Sequence, residues 1–255
     1  MYFYKKVMKK IYSLIISSFL TLSAFGQSHS SDSLNINKDL KFKYEALIIP
    51  GVLIGYGVIG LESHTLKDIN TDTKNEIKEH IDKKFTIDDF SQYSAFLSVY
   101  ALNAAGVKGK NNFKDRTIIL TSAYLIMGTT VNIIKMTGNE MRPDGTSNNS
   151  FPSGHTATAF MGAEFLYQEY KDVSIWYGVS GYLVAAGTGF FRMYNDRHWF
   201  SDVAAGAGIG ILSTKIAYWL HPVTKKIFKK KENLNGVILP VYNGREYGLA
   251  MAVSF

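Results

Sequence analysis

Between Lys135 and Asp202 the chain gathers the residue types that attack on a phosphoryl group requires. Lys135 is followed after six residues by Arg142-Pro143. Pro152-Ser153-Gly154-His155 comes next, and Arg192 is followed after five residues by His198 and after three more by Asp202. A phosphoryl group in transfer spreads negative charge over its equatorial oxygens, so catalysis is chiefly positioning plus cations and N–H donors aimed at those oxygens. Lys135, Arg142 and Arg192 supply cations, the arginines as bidentate forks and the lysine as a movable point charge. Ser153-Gly154 stands between a proline and a helix-favouring run. That places a hydroxyl and free backbone N–H groups at a helix N-terminus, where anions bind.

Two histidines divide the remaining work. His198 and Asp202, four apart at the start of an apolar helical run, share a face, so the carboxylate can keep one ring nitrogen protonated and leave the other free to attack phosphorus. His155, opening a different helix, suits the general acid for the departing alkoxide. Each piece alone has a plainer reading. His-x3-Asp occurs as a capping pair, Ser153 serves as a helix cap worth about 1 kcal/mol, and the arginines serve as surface ion-pair partners worth little. Only the combination favours chemistry.

In order, Lys-x6-Arg-Pro, Pro-Ser-Gly-His and Arg-x5-His-x3-Asp resemble the three-part signature of the type-2 phosphatidic acid phosphatase superfamily, which also holds bacterial class A acid phosphatases and vanadium haloperoxidases. The resemblance implies an all-α fold, a six-helix bundle of the phosphatidic acid phosphatase/haloperoxidase type. It also implies hydrolysis of phosphate monoesters, lipid or soluble, with no cofactor and no metal, through a phosphohistidine. It assigns the nucleophile to His198, its orienting carboxylate to Asp202 and the general acid to His155, and makes Lys135, Arg142, Ser153, Gly154 and Arg192 the phosphate-binding set. One position departs: the family commonly has serine before the third-motif arginine, and Phe191 stands here, so a hydroxyl near the phosphate is missing. Two other functions stay open, a vanadate-dependent haloperoxidase and a non-enzymatic phosphate-binding envelope protein.

The elements that must position these residues read as helices over 44–61, 90–105, 117–134, 155–170, 173–190 and 199–220. Between the first two, Ile69, Ile77, Ile81 and Phe85 fall on one face of a short amphipathic helix. Beyond Pro222, two apolar stretches around Asn243-Gly244 predict a short C-terminal β-hairpin. His64 and His80 lie outside the signature and receive no role.

The 255 residues are enough for one sizeable core, and the chain contains no cysteine, so neither a disulfide framework nor a thiolate metal site is available. A net charge of +7 invites a nucleic-acid reading, but the excess sits in the lysines of the first ten residues and in Lys225, Lys226, Lys229, Lys230 and Lys231. No basic stripe is interleaved with stacking aromatics. The expected partners are a phosphorylated small molecule or lipid head group and a membrane surface, not nucleic acid. Residues 1–26 read as a signal peptide, with Met8 as an alternative start. Residues 27–43 read as a polar tether, 44–221 as the helical phosphatase domain, and 222–255 as a basic segment and hairpin. Glu164 in mid-helix, Lys215 in the last run and the shortness of several runs favour an exported domain, periplasmic or peripheral on the envelope membrane, over an integral six-span enzyme with its site outside.

Overall fold

The computed structural model describes residues 44–79, 84–230, 235–242 and 247–254. The signal-like segment, the tether, Ile81 and His80 lie outside these. A 3-10 turn, Tyr44–Leu47, leads into α1 (Ile48–Gly60), followed by α2 (His64–Lys78), α3 (Asp88–Ala104), α4 (Phe113–Thr137), α5 (Gly154–Tyr170), α6 (Ile175–Tyr194) and α7 (Phe200–Lys230). The strands β1 (Asn235–Tyr242) and β2 (Tyr247–Ser254) pair antiparallel, Tyr242 opposite Tyr247. Apart from these strands the architecture is an all-helical bundle.

α5 is the axis of the bundle. Twelve of its seventeen residues are buried, and it packs against α3, α6 and α7. A helix surrounded on three sides needs small side chains at its contacts, and α7 meets it with Gly206, where an added Cβ would sit 2.5 Å from the carbonyl oxygen of Ser153. That close approach brings the start of α5 against the start of α7. It is sealed by a hydrogen bond from the Ser153 N–H to the Asp202 carbonyl at 3.0 Å.

The expected amphipathic helix is α2, but what it buries is Asn70. The Asn70 amide donates to the Ser201 hydroxyl at 2.9 Å and accepts from the Ser201 N–H at 3.1 Å. Ile69 remains exposed and Phe85 falls beyond the helix end, so polar docking at one residue outweighs the isoleucine stripe. The last helix also runs ten residues past the expected end at Leu220, through Pro222. A proline removes one intrahelical bond. Here the following turns are held to α4 by Lys225 and His221, which lie 2.6 Å and 3.7 Å from the Asp115 carboxylate.

Glu164 and Lys215, each a reason to doubt a membrane span, are partners. Lys215 Nζ lies 2.9 Å from Glu164 Oε1, and the same carboxylate accepts from the Tyr182 hydroxyl and from Gln168 at 2.7 Å. Paired inside the bundle, these charges no longer oppose a lipid environment. Phe113–Thr137 and Phe200–Lys226 are long and apolar enough to cross a membrane, and the bent pair Tyr44–Gly60 and His64–Lys78 makes a third if it counts as one span. Leu125, Ile133 and Met136 of α4, Trp176 and Leu183 of α6 and Ile48, Ile49 and Val52 of α1 are exposed. So much outward apolar surface, on helices of this length, marks a membrane-associated protein. It agrees with the membrane-attached part of the expected localisation, peripheral on the envelope membrane or integral.

Candidate active site

The third motif is built by a turn. After α6 the chain doubles back so that the N–H groups of Arg197 and His198 both donate to the Arg192 carbonyl, at 2.9 Å and 3.3 Å, with Asp196 in the left-handed region at φ 57°. The five-residue spacing between Arg192 and His198 is the length of that turn. Asp202 sits in the first turn of α7, where its Oδ2 accepts from the Trp199 N–H at 2.8 Å, the reach-back half of a capping box. The same oxygen accepts from the Ser150 hydroxyl at 2.5 Å and lies 3.5 Å from His198 Nδ1. The carboxylate that caps α7 thus also lies beside the imidazole. The His198–Asp202 separation exceeds an ordinary hydrogen bond.

His198 is buried. Burial holds its proton affinity down to about 4, with Lys135 and Arg192 adding to the effect and Asp202 opposing it. At neutral pH the ring is uncharged and one nitrogen keeps its lone pair, the state a nucleophile needs.

Three of the expected residues, Arg142, His155 and Arg192, line one cavity of about 290 Å³. The Nε atoms of both arginines are buried without a hydrogen-bond acceptor. Unpaired buried donors are costly, and two on guanidinium groups that line one cavity are donors an oxyanion there can satisfy. Lys135 approaches from the end of α4, its ammonium 2.5 Å from the Asn149 carbonyl, which ties α4 to the loop ahead of α5. His198 and Lys135 are not among the residues that line the cavity, and both arginines that do line it, Arg142 and Arg192, are close enough for their charges to act on Lys135.

Ser153 is fully buried. Its hydroxyl turns inward, accepting from the Thr156 N–H at 3.4 Å and lying 2.8 Å from the Thr156 hydroxyl, so its observed contacts are those of a helix cap. Gly154 and His155, in the first turn of α5, keep N–H groups without intrahelical acceptors. Phe191, in the place of the serine, packs on Phe190 and Tyr194, with ring centroids 5.8 Å and 5.6 Å away.

The far wall of the cavity comes from the start of α3, which the three motifs do not include. Asp88 is buried and its Oδ2 lies 2.5 Å from Arg192 Nη1, while its Oδ1 accepts from the Asn195 amide at 3.0 Å. Asn195 in turn bonds the backbone of Phe85 at 3.0 Å and 2.6 Å, stapling the approach to α3 onto the end of α6. Asp89 lies 3.0 Å from His155 Nε2 and 3.7 Å from Arg192 Nη1. Burial and the Arg192 charge lower the proton affinity of His155, and Asp89 works against both. The sequence signal for the pair was two successive aspartates ahead of an apolar run, ordinarily read as helix-dipole partners. Ser150, two residues before Pro152, carried no signal.

Residues 116–226 match the model of the PAP2 superfamily. Over 171 residues the chain is 37% identical to lipid A 1-phosphatase of Porphyromonas gingivalis, covering 63% of this chain and 38% of that protein. Over 104 residues it is 31% identical to the bacitracin transport permease protein BcrC of Bacillus licheniformis, covering 40% of this chain and 46% of that one. The chain thus spans less than half the length of either curated relative. Among solved structures, LpxE of Aquifex aeolicus aligns at 25% identity and a TM-score of 0.45, over 59% of this chain and 94% of that one. A transmembrane PAP2-type phosphatidylglycerolphosphate phosphatase of Bacillus subtilis aligns at 17% identity and a TM-score of 0.44, over 70% and 97%.

Proposed function

We propose that this chain, whose residues 116–226 match the model of the PAP2 superfamily, belongs to that superfamily and is a phosphatase that hydrolyses lipid phosphate monoesters through a phosphohistidine on His198. The observation that carries this reading is the pair of buried, acceptor-less Nε donors of Arg142 and Arg192 on one cavity with His155, backed by the neutral His198 and the anchored Asp202. Arg142 and Arg192 grip the phosphoryl oxygens, Lys135 and the N–H groups of Gly154 and His155 add positive potential, and Ser153 holds the turn that presents them. One ring nitrogen of His198 attacks phosphorus while Nδ1–H faces Asp202. His155 gives a proton to the departing alkoxide, then takes one from the water that cleaves the phosphohistidine.

The substrate class follows from the apolar surface and from the relative that acts on lipid A 1-phosphate. A phosphate on a membrane lipid presents itself at the end of the helices, where this cavity lies. Asp115 and Lys135 are twenty residues apart on α4, roughly 30 Å along a helix, so the cavity and the Asp115–Lys225 contact sit at opposite ends of the bundle. Lys108, Lys110 and Lys225 gather at the end away from the cavity. Positive loops are retained on the cytoplasmic side, so the site faces outward. A chain without cysteine permits a direct test: single cysteines at Lys108 and at Asn148, probed on intact cells with an impermeant maleimide. Labelling at 148 and protection at 108 fits this orientation, and the reverse pattern refutes it.

The activity is tested by phosphate release from lipid A 1-phosphate and phosphatidic acid by the purified protein. Turnover abolished by His198→Ala is expected. No release from any lipid phosphate refutes the assignment.

A further inference from the structure

α2 carries Asn70, Lys74 and Lys78 at intervals of four, so all three stand on one face of that helix. Asn70 holds Ser201 by its two hydrogen bonds, and Lys78 Nζ lies 2.9 Å from Asp196 Oδ2. The helix is thus docked on both sides of His198 in the chain. Between these two ties Lys74 reaches a second loop. Its ammonium donates to the Pro143 carbonyl at 2.7 Å and lies 5.3 Å from the centre of the Trp199 ring, within cation–π range. The Trp199 indole N–H in turn donates to the Met141 carbonyl at 2.8 Å. Met141 and Pro143 are the two neighbours of Arg142. The Arg142 backbone is itself closed into a turn, its N–H donating to the Ser147 carbonyl at 3.0 Å and its carbonyl accepting from the Gly145 N–H at 2.9 Å. Arg142 Nε takes no part in these bonds.

We infer that Lys74 and Trp199 are positioning residues: they clamp the backbone on both sides of Arg142 against the segment that carries His198, and so set the guanidinium that grips phosphate relative to the imidazole that attacks it. This rests on the phosphatase reading and adds to the same site two residues, one of them from a helix outside the three motifs. Arg142 belongs to the loop between α4 and α5, and His198 to the turn between α6 and α7. An arginine on an untethered loop loses, in being ordered, part of what it gains on meeting an oxyanion. Trp199 suits the task because it holds in two directions. Its main-chain N–H donates to the Asp202 carboxylate and its indole N–H to the Met141 carbonyl, each at 2.8 Å. Lys74 suits it because one ammonium serves a carbonyl and a ring face at once. Neither side chain lines the cavity, so each acts through Arg142 rather than on the phosphoryl group.

The test measures calorimetric binding of inorganic phosphate, and kcat and KM on phosphatidic acid, for the full chain in detergent as wild type, Lys74→Met, Lys74→Arg and Trp199→Phe. Lys74→Met keeps the stem and loses the donor, and Trp199→Phe keeps a ring and loses the indole N–H. Each raises the phosphate Kd by about tenfold, the worth of one charge-assisted contact that Arg142 no longer makes. Each also lowers kcat by about tenfold or more, because a displaced guanidinium meets the transition state poorly. Lys74→Arg, which keeps charge and donor, recovers most of both losses, and the number of phosphate sites per molecule stays at the wild-type value throughout. A merely structural role gives fewer competent sites and a lower kcat with Kd and KM unchanged, and that result overturns the proposal. So does a phosphate Kd within about twofold of wild type in both Lys74→Met and Trp199→Phe. Where Lys74→Met yields no folded protein, Trp199→Phe decides by the same limits. Phosphate binding that weakens in both variants, in a protein that hydrolyses no lipid phosphate, upholds the clamp and removes the phosphatase reading.

Discussion

His155 Nε2 lies 3.0 Å from Asp89 Oδ1, so the candidate general acid is held by a carboxylate from a helix outside the three motifs. The contact fixes the ring and raises its proton affinity against burial and Arg192. Asp89→Asn is therefore expected to move the alkaline limb of the kcat profile to lower pH. For alkyl phosphates kcat falls by about tenfold, and for aryl phosphates, which leave without a proton, it stays close to normal. Asp89→Glu should restore part of the loss. Equal losses on both ester classes with an unmoved pH profile remove Asp89 from this role.

The pH dependence follows from the two imidazoles with opposite requirements. His198 must be neutral, and its proton affinity is lowered to about 4, so kcat/KM falls only as pH drops through about 4. His155 must be protonated, and its affinity also lies below the ordinary histidine value, so activity on poor leaving groups falls as pH rises through that lowered value. The expected result is an acidic optimum. A profile rising steadily past neutrality would contradict the assignment of acid and nucleophile.

Asp88 and Arg192 form a buried ion pair on the cavity wall. Removing one partner leaves the other charge uncompensated at a cost of about 3–5 kcal/mol. Asp88→Ala should lower the unfolding temperature in detergent and raise KM, since Arg192 is no longer aimed. Phosphate or vanadate added at saturation should recover part of the thermal loss, because the anion replaces the missing carboxylate. A thermal midpoint unchanged from wild type counts against this view of the pair.

How much of this was legible in the sequence depended on how local each contact is. The Arg192, His198 and Asp202 spacing is short-range, so the motif was legible, although the turn that spans it and the capping bond of Asp202 to the Trp199 N–H came only with the structure. Asp88 and Asp89 lie more than sixty residues from His155 and more than a hundred from Arg192, and their types fit a helix N-terminus equally well, so nothing marked them as cavity residues. Glu164 and Lys215 were not legible as partners for the same reason. Fifty-one residues apart, they counted as two isolated charges until packing of α5 against α7 made them one pair. Pro222 looked like a helix end because the ties of His221 and Lys225 to α4 could not be seen. The isoleucine stripe of α2 was present, but a single asparagine decides how that helix docks.

Ser150 illustrates a residue with no motif and a defined contact. Its hydroxyl is one of two donors to Asp202 Oδ2. Ser150→Ala leaves the Trp199 N–H as the other, so the carboxylate is less well fixed and kcat should drop by about tenfold, in proportion to one lost hydrogen bond to a charged group. KM should stay near wild type. A change confined to KM would place Ser150 in substrate binding instead.

Gly206 is expected to admit no side chain, because the Ser153 carbonyl occupies the space of a Cβ. Gly206→Ala should separate the starts of α5 and α7, lowering both thermal stability and turnover. A variant with full turnover would show that the two helix starts need not meet.

The covalent step is tested most directly by quenching a reaction of His155→Ala with an activated aryl phosphate. That substrate needs no acid, and loss of the residue that activates water slows breakdown of the intermediate. Mass spectrometry after alkaline quench should find an acid-labile phosphoryl group on the peptide containing His198, and none in the His155→Ala/His198→Ala double variant. Wild-type phosphate release by His198→Ala, or a phosphoryl group carried by any other residue, would contradict the account.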